Sequence, residues 1–318
     1  MKPKCSCYAA HSSNNPLISY SIQRRSLGKN DVKINIEFCG VCHTDIHYVK
    51  NDWSKTNYPV VPGHEIIGKV IKLGKNVKNF FVGQQVGVGV FVNSCGSCLS
   101  CKNNLEQYCI KGATTTYNSP SNDPGGFTYG GYSENIVVNE KFVLNIPKTL
   151  DPASAAPLLC AGITTFSPLK HWKIKNGMTV GIIGLGGLGH MAVKFTKALG
   201  AKAVVITSNK NKIVDAKKFG AEDAILLSKK KSFEERKNTF DFLLNTIPVS
   251  HDYNKFLNLL KIDGTMCLVG ALGENPKLNT NLLIYGRKRI TGSLVGGIKE
   301  TQEMLNFCGD NNISPEIE

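Results

Sequence analysis

Residues 178–200 read MTVGIIGLGGLGHMAVKFTKALG. An apolar run from Met178 to Ile183 enters a glycine cluster at Gly184, Gly186, Gly187 and Gly189, and a helical pattern follows on Met191, Val193, Phe195, Ala198 and Leu199. The order is strand, tight turn, helix, with the glycines spaced G-x-G-x-x-G. Gly184 permits the turn, Gly186 lets a phosphate approach the backbone, and Gly189 lets the helix lie close on the strand. The new helix presents free N–H groups and a partial positive charge, which suits a pyrophosphate. The spacing alone is weak evidence. Its place between an apolar strand and an amphipathic helix makes it much stronger, and a dinucleotide site is the starting expectation.

Around this stretch, from Pro152 onward, strands and helices alternate. Strands are expected at Ala203–Ser208, Asp223–Leu227, Phe240–Thr246, Thr265–Ala271 and Arg289–Leu294. Helical patterns fall at Ala153–Leu159, Thr165–His171, Leu188–Leu199, Asn209–Phe219 and Tyr253–Leu260. Such βα alternation predicts an α/β fold with a doubly wound parallel sheet. Upstream, short strands at Leu17–Ile22, Val32–Cys39, Ile66–Leu73, Gln85–Val92, Tyr132–Val138 and Val143–Ile146 predict a mostly β domain with barrel-like closure. The expected boundaries are 1–151 for this domain, 152–295 for the dinucleotide domain, and 296–318 for the start of a return to the first.

A chain of 318 residues, 42% hydrophobic and 19% charged, has the composition of an ordinary globular protein of two domains. No apolar run reaches membrane-spanning length, and the basic N-terminus lacks the apolar core of a secretory leader. Eleven cysteines in a chain this large, several at metal-ligand spacing, point to a reducing cytoplasm. The net charge of +14 comes from dispersed lysines rather than one basic stripe. Nucleic acid is therefore not the expected partner, although the charge would attract a polyanionic cofactor.

The strongest local motif is CGSCLSCKNNLEQYC, with Cys95, Cys98, Cys101 and Cys109. Four thiolates from one loop can converge on a tetrahedral ion, and closed coordination by four cysteines favours structural Zn²⁺; an iron–sulfur cluster is the alternative. A second set is dispersed: Cys42 in GVCHTD, His64 in GHE and Cys160 in PLLCAG. Each alone could be a core residue, but the run Cys42-His43-Thr44-Asp45-Ile46-His47 brings thiol, hydroxyl, carboxylate and imidazole together.

With CGVCHTDIH, VPGHEIIG, the four-cysteine loop, PLLCAGITTFSPL, GIIGLGGLGH and GSLVGG in this order, the chain resembles the zinc-dependent medium-chain alcohol dehydrogenases. The likeness is greatest to their cinnamyl-alcohol-dehydrogenase-like aldehyde reductases. It implies a GroES-like catalytic domain and a Rossmann domain. It implies Cys42, His64 and Cys160 as catalytic zinc ligands, with Glu65 able to enter the coordination sphere and Asp45 orienting His64. Cys39 falls outside that ligand pattern and reads as packing. Zinc would polarise an aldehyde carbonyl for hydride attack from the nicotinamide, with Thr44 and His47 relaying the proton. Trp53 and Phe91 become candidate pocket walls. Thr164, Leu188, Val269 and Val295 fall at cofactor-lining positions of the same pattern.

An NAD site usually places a carboxylate about 20 residues beyond the first glycine. Here Thr207, Ser208 and Asn209 occupy that place, followed by Lys210 and Lys212. Hydroxyls, a helix start and a lysine suit a 2′-phosphate, so NADP(H) is expected, with Ser208 also a candidate cap for the next helix. The readings left are a polyol dehydrogenase on the same scaffold, disfavoured by Cys160, and a non-catalytic NADP(H)- or nucleic-acid-binding protein. The resemblance also implies a homodimer joined near Arg289–Leu294. Against the family's length, roughly the last thirty residues are expected to be missing after Glu318, leaving an unpaired edge in the first domain.

Overall fold

The computed structural model describes residues 4–270 and 277–317. The chain divides into two compact units, Met1–Cys160 with Gly296–Glu318, and Ala161–Val295. In the first, β1 (Lys4–Ala9) pairs antiparallel with β2 (Ile18–Gln23). β1 was not among the expected strands. Its alternation buries only Cys5, Cys7 and Ala9, small side chains that leave a weak hydropathy signal.

Next come β3 (Asp31–Cys39), α1 (His43–Lys50), β4 (Ile66–Leu73), β5 (Gln85–Val88), β6 (Phe91–Asn93), α2 (Leu99–Lys102), β7 (Thr114–Thr115), β8 (Asn135–Asn139), β9 (Leu144–Asn145) and α3 (Pro152–Ala155). Five of the strands form an antiparallel sheet ordered β8–β3–β4–β5–β9, and β6 pairs with β7. Hydrogen bonding does not close this sheet into a ring; among the described residues the ladder ends at β8 and at the two-residue β9. The expected strand Gln85–Val92 is broken at Gly89 and Val90. Their carbonyls leave the ladder to accept from Thr116, from its hydroxyl and its N–H respectively.

The junction between units falls after Cys160 rather than 151. α3 and the single turn Ala156–Leu159 bury Ala155, Ala156, Leu158 and Leu159 in the first unit. A Cβ placed on Gly87 of β5 would lie 3.1 Å from the Leu159 side chain, so the segment is packed on the sheet.

The second unit runs α4 (Ala161–His171), β10 (Thr179–Ile183), α5 (Gly187–Ala198), β11 (Lys202–Thr207), α6 (Lys212–Phe219), β12 (Asp223–Leu226), α7 (Lys230–Glu234), β13 (Phe240–Asn245), α8 (Tyr253–Leu257), β14 (Leu260–Leu268), α9 (Asn281–Ile284) and β15 (Arg289–Gly292). All six strands are parallel, ordered β12–β11–β10–β13–β14–β15, the doubly wound arrangement expected. Ile183, Ile206, Phe240, Leu243 and Met266 lie in one buried cluster of this sheet. Each such side chain stabilises the unit by about 2 kcal/mol relative to an exposed one.

Local differences have local causes. α6 starts at Lys212, not Asn209, because Thr207 Oγ1 accepts the Asn209 N–H (3.2 Å) and Asn209 Oδ1 accepts that of Asn211 (2.9 Å). These side chains offer the backbone a turn in place of the helix, and Ser208 is not its cap. The helix expected to reach Leu260 stops at Leu257, since Leu260 already pairs with Phe240 of β13. β14 therefore starts earlier than expected and ends at Leu268; Ala271, its expected end, lies outside the described residues. After β15 the chain returns to the first unit as α10 (Ile298–Asn311). Gln302 of α10 accepts the Asn145 N–H (2.8 Å) and donates to its carbonyl (3.0 Å), fastening the helix to β9. Among the described residues no helix is long and apolar enough to cross a membrane.

Candidate active site

Cys42 precedes α1, His64 and Glu65 end the loop before β4, and Cys160 closes the turn after α3. The fold brings one donor atom of each within 4.8 Å of the others. His64, Glu65 and Cys160 are buried. The Sγ atoms of Cys42 and Cys160 stand 3.8 Å apart. Two thiolates bound tetrahedrally at 2.3 Å to one zinc lie about 3.8 Å apart, so the pair already has the spacing of a zinc edge. A disulfide would need sulfurs at about 2.05 Å, and both thiols are free.

Asp45 organises this set. It is buried on the first turn of α1, and its carboxylate accepts four hydrogen bonds. Oδ1 takes the Gly63 N–H (3.0 Å) and lies 3.1 Å from His64 Nδ1; Oδ2 takes the Cys42 N–H (2.9 Å) and the Tyr132 hydroxyl (3.3 Å). A carboxylate at Nδ1 fixes the proton there and leaves Nε2 as the basic, ligating nitrogen. Asp45 thus ties two of the donors to one anchor.

The electrostatics ask for a cation. Hydrogen bonding from the Cys160 thiol, and contact with His64, outweigh burial and pull Cys42 down to about 4. The Cys42 thiolate and burial push Cys160 well above its ordinary value. Burial first, then the Cys42 charge, raises Glu65 to about 8. Against the opposing effect of burial, Asp45 and Cys42 raise His64 to about 10, so it offsets part of this negative charge, and a divalent cation among the donors would offset the rest. Two thiolates and an imidazole are the donors zinc prefers, and the residues fit it.

The four-cysteine loop fits a single ion as well. Sγ distances are 3.8 Å for Cys95–Cys101 and 3.5 Å for Cys98–Cys101, and all four sulfurs lie within 4.8 Å of one another. Donors this close surround one metal and leave no room for several irons. The N–H groups of Ser97 and Cys98 draw Cys95 down to about 5, and Cys98 N–H donates to Cys95 Sγ at 3.3 Å. The set has four thiols and no carboxylate among its donors. The same loop supplies Glu106, whose Oε2 accepts the Ile298 N–H (3.1 Å) at the start of α10.

Thr44 and His47 lie three residues apart on α1, hence on one face. His47 Nδ1 is 2.7 Å from Asp52 Oδ2, and its ring packs on Trp53 (4.9 Å) and His43 (4.8 Å). Trp53 is half-buried; Phe91 is buried in β6, and Cys39 is packed near Gly63 and Gly131. Three residues of this neighbourhood were not among the expected site residues: Asp52, Tyr132 and Tyr117, whose ring lies 5.8 Å from that of His64. Asp52, five residues after His47 in KNDW, could have been suspected. The tyrosines lie far along the chain and gave no signal.

In the second unit the glycine turn joins β10 to α5. Gly184 has φ +94°, a left-handed conformation that favours glycine. Around Gly186 and Gly187 an added Cβ would meet open space, and Leu188 follows in the first turn of α5. At Gly189 a Cβ would collide with the Gly184 carbonyl oxygen. Thr207 ends β11 buried, while Ser208 and Asn209 are exposed and half-buried Lys212 opens α6. Thr164 is buried in α4; Val269 donates its N–H to Asn245 O (3.0 Å). Val295 sits at φ +46°, a strained conformation for a β-branched residue.

Residues 28–148 match the family described as the alcohol dehydrogenase GroES-like domain, and residues 187–310 that described as zinc-binding dehydrogenase. The chain is 48% identical over 315 residues to NADP-dependent alcohol dehydrogenase C 1 of Mycolicibacterium smegmatis, covering 98% of this chain and 90% of that one. It is 46% identical over 319 residues to aldehyde reductase YahK of Escherichia coli, covering 99% and 90%. The solved structure of CAD from Helicobacter pylori, complexed with NADP(H), superposes with a TM-score of 0.93 at 41% identity, covering 100% of this chain and 91% of that one. Two cysteine-centred metal sets in one unit, a glycine turn on a doubly wound sheet in the other, and these likenesses along nearly the whole chain lead to one statement: the chain belongs to the zinc-dependent alcohol dehydrogenase family.

Proposed function

We propose that this chain is a zinc-dependent aldehyde reductase, interconverting aldehydes and primary alcohols with NADP(H). The observation that carries the reading is the set Cys42, His64, Glu65 and Cys160, half-buried at Cys42 and buried at the other three, with donor atoms within 4.8 Å of one another. When bound, zinc supplies Lewis acidity toward the substrate oxygen and NADPH supplies the hydride.

This chain's residues do the rest. Cys42, His64 and Cys160 would hold the catalytic ion, while Glu65, its pKa raised first by burial, stands beside them as a fourth donor once it gives up its proton. Asp45 keeps the His64 proton on Nδ1. The Thr44 hydroxyl hydrogen-bonds the substrate oxygen, and His47, its ring steered by Asp52, holds the relayed proton. Trp53 walls the pocket. Cys95, Cys98, Cys101 and Cys109 hold a structural ion.

Gly184, Gly186, Gly187, Leu188 and Gly189 receive the pyrophosphate, and Thr164, Val269 and Val295 line the cofactor. Strain at Val295, about 1–3 kcal/mol, is what a functional position tolerates. Thr207, Ser208, Asn209 and Lys212 meet the 2′-phosphate with no carboxylate to repel it. Relatives named for NADP at 41–48% identity support that choice. Eleven cysteines, six of them gathered in candidate metal sets, favour the reducing cytosol. The open edge of β15 favours a homodimer through that strand.

The test is NADPH and NADH oxidation by the zinc-loaded protein over aromatic and aliphatic aldehydes, with a polyol as comparison. Aldehyde-dependent oxidation should favour NADPH by about a hundredfold in kcat/KM, as two charge-assisted hydrogen bonds to the 2′-phosphate would give. No turnover with any aldehyde, in protein carrying both zinc ions, contradicts the reading.

A further inference from the structure

The strand order of the second unit reverses between β10 and β13: the chain winds outward from β10 through β11 to β12, then from β13 through β14 to β15. In open α/β sheets, ligands bind beyond the carboxyl ends of the strands at this reversal. One wall of that crevice is the glycine turn after β10. The other is the segment 246–249 leaving β13. The two meet at Thr246, whose N–H and hydroxyl both donate to the Ile183 carbonyl (3.0 and 2.9 Å). A Cβ on Gly184 would lie 2.9 Å from Thr246 Oγ1 and 3.3 Å from Ile247 Cγ1. The placement of segment 246–249 therefore sets the shape of the crevice.

Asn245, buried at the end of β13, holds the start of that segment. Its Oδ1 accepts the Ile247 N–H (3.2 Å) and its backbone carbonyl accepts that of Val269 (3.0 Å). Its Nδ2 lies 2.9 Å from His251 Nε2. Only the amide oxygen can accept from Ile247, so Nδ2 must face His251 as a donor, and Nε2 must accept. The ring proton is thereby on Nδ1, which donates to the Val249 carbonyl at 2.7 Å. Tyr253 (5.0 Å) and Phe256 (5.7 Å) pack on the ring. One neutral imidazole in one tautomer thus ties Asn245 to Val249, the two ends of the segment.

We propose that His251 is a positioning residue for the cofactor: by clamping residues 245–249 it holds the NADP(H) crevice in shape, and it does so only while neutral. The proposal rests on the NADP(H) reading of this unit. An imidazolium would set an Nε2 hydrogen against the Asn245 Nδ2 hydrogens. Turning the carboxamide over would only move the conflict to Ile247 N–H. One bond is lost either way. The titratable neighbours do not change this: burial keeps the Tyr253 phenol raised and neutral, and Asp252 Oδ1 accepts from Asn254 N–H (2.9 Å) and Nδ2 (3.0 Å).

The experiment titrates NADPH into the zinc-loaded full chain, following cofactor fluorescence, for wild type, His251→Phe and His251→Gln, with thermal unfolding of each alongside. Phenylalanine keeps the ring packing without donor or acceptor; glutamine offers an amide oxygen to Asn245. His251→Phe should weaken NADPH binding and raise its KM about tenfold with kcat nearly unchanged, and His251→Gln should restore most of the loss. Wild-type affinity should fall on acidification more steeply than that of His251→Gln, a contrast that carries the test even if His251→Phe does not fold. A folded His251→Phe that binds NADPH like wild type, or a His251→Gln whose pH profile matches wild type, overturns the proposal alone. A wild type that turns over aldehyde with NADH but does not bind NADPH overturns the cofactor reading and this inference with it.

Discussion

In the Cys95–Cys109 loop, four thiols are gathered from one short stretch whose ends are 14 residues apart. At Cys42, His64, Glu65 and Cys160 the donors come from three separate loops, the two thiols 118 residues apart. The loop site contains only sulfur donors and leads through Glu106 to the start of α10. The assembled site adds an imidazole and a buried carboxyl, with Asp45 behind them. A set of thiols alone suits an ion that would fasten the chain. A set with three firm donors and one reluctant carboxyl suits an ion that would keep a place for a substrate oxygen. One cysteine chemistry serves two ends because of what surrounds it.

The largest effect that sharpens this contrast should come from Cys160→Ser. Loss of the third ligand removes the Lewis acid, and aldehyde-dependent NADPH oxidation should fall by about a thousandfold or more. Thermal unfolding should shift by only a few degrees. Cys101→Ser should do the reverse. Without its ion the loop no longer presents Glu106 to α10, and the melting temperature should drop by about 10 °C, from several kcal/mol of lost metal-coupled folding. Turnover per folded molecule at low temperature should stay close to wild type.

Asp45→Asn tests whether the assembled site depends on its anchor. An amide at this place cannot hold the His64 proton as a carboxylate does, and activity or zinc affinity should fall about 10- to 100-fold. Asp31 supplies a buried carboxylate away from both metal sets. It accepts from Arg25 Nη1 and Nη2 (the latter at 3.1 Å) and from the Gly28 N–H (2.6 Å). Burial opposes its charge, but these donors win and hold it below the ordinary carboxylate range. A depressed carboxylate contributes stability above its unfolded pKa, about 3.9, and loses it as pH falls through the lower folded value. Asp31→Asn should therefore cost about 2 kcal/mol near neutrality, read from the urea midpoint, and the gap should close below about pH 4. Activity should be unchanged.

The same contrast explains what could be read from the chain. Cys95 to Cys109 and Gly184 to Gly189 are local, so residue spacing alone reveals geometry. The parallel sheet was legible for a similar reason: its strands are continuous apolar runs buried on both faces, as Val204, Val205 and Ile206 show. Cys42, His64 and Cys160 could be united only through resemblance, because nothing in spacing tells how far a β domain folds back. Tyr117 lies in a stretch rich in Gly, Ser and Asn with no periodicity to place it, and Tyr132, although it opens an expected strand, carries nothing in the sequence that ties it to Asp45. β1 was lost because cysteine and alanine make a faint alternation. Asn209 displaced a helix start because an amide side chain outcompeted backbone hydrogen bonding, which no hydropathy pattern records.

The claim that two metal sites have separate jobs is tested most directly by counting zinc per chain in wild type, Cys42→Ser and Cys98→Ser, with turnover and melting temperature measured on the same preparations. Wild type should carry two ions and each variant one. Cys42→Ser should lose turnover and keep its stability; Cys98→Ser should keep turnover per folded molecule and lose stability. A Cys42→Ser protein that still reduces aldehydes at the wild-type rate, or a Cys98→Ser protein as stable as wild type with a single ion, would contradict the account.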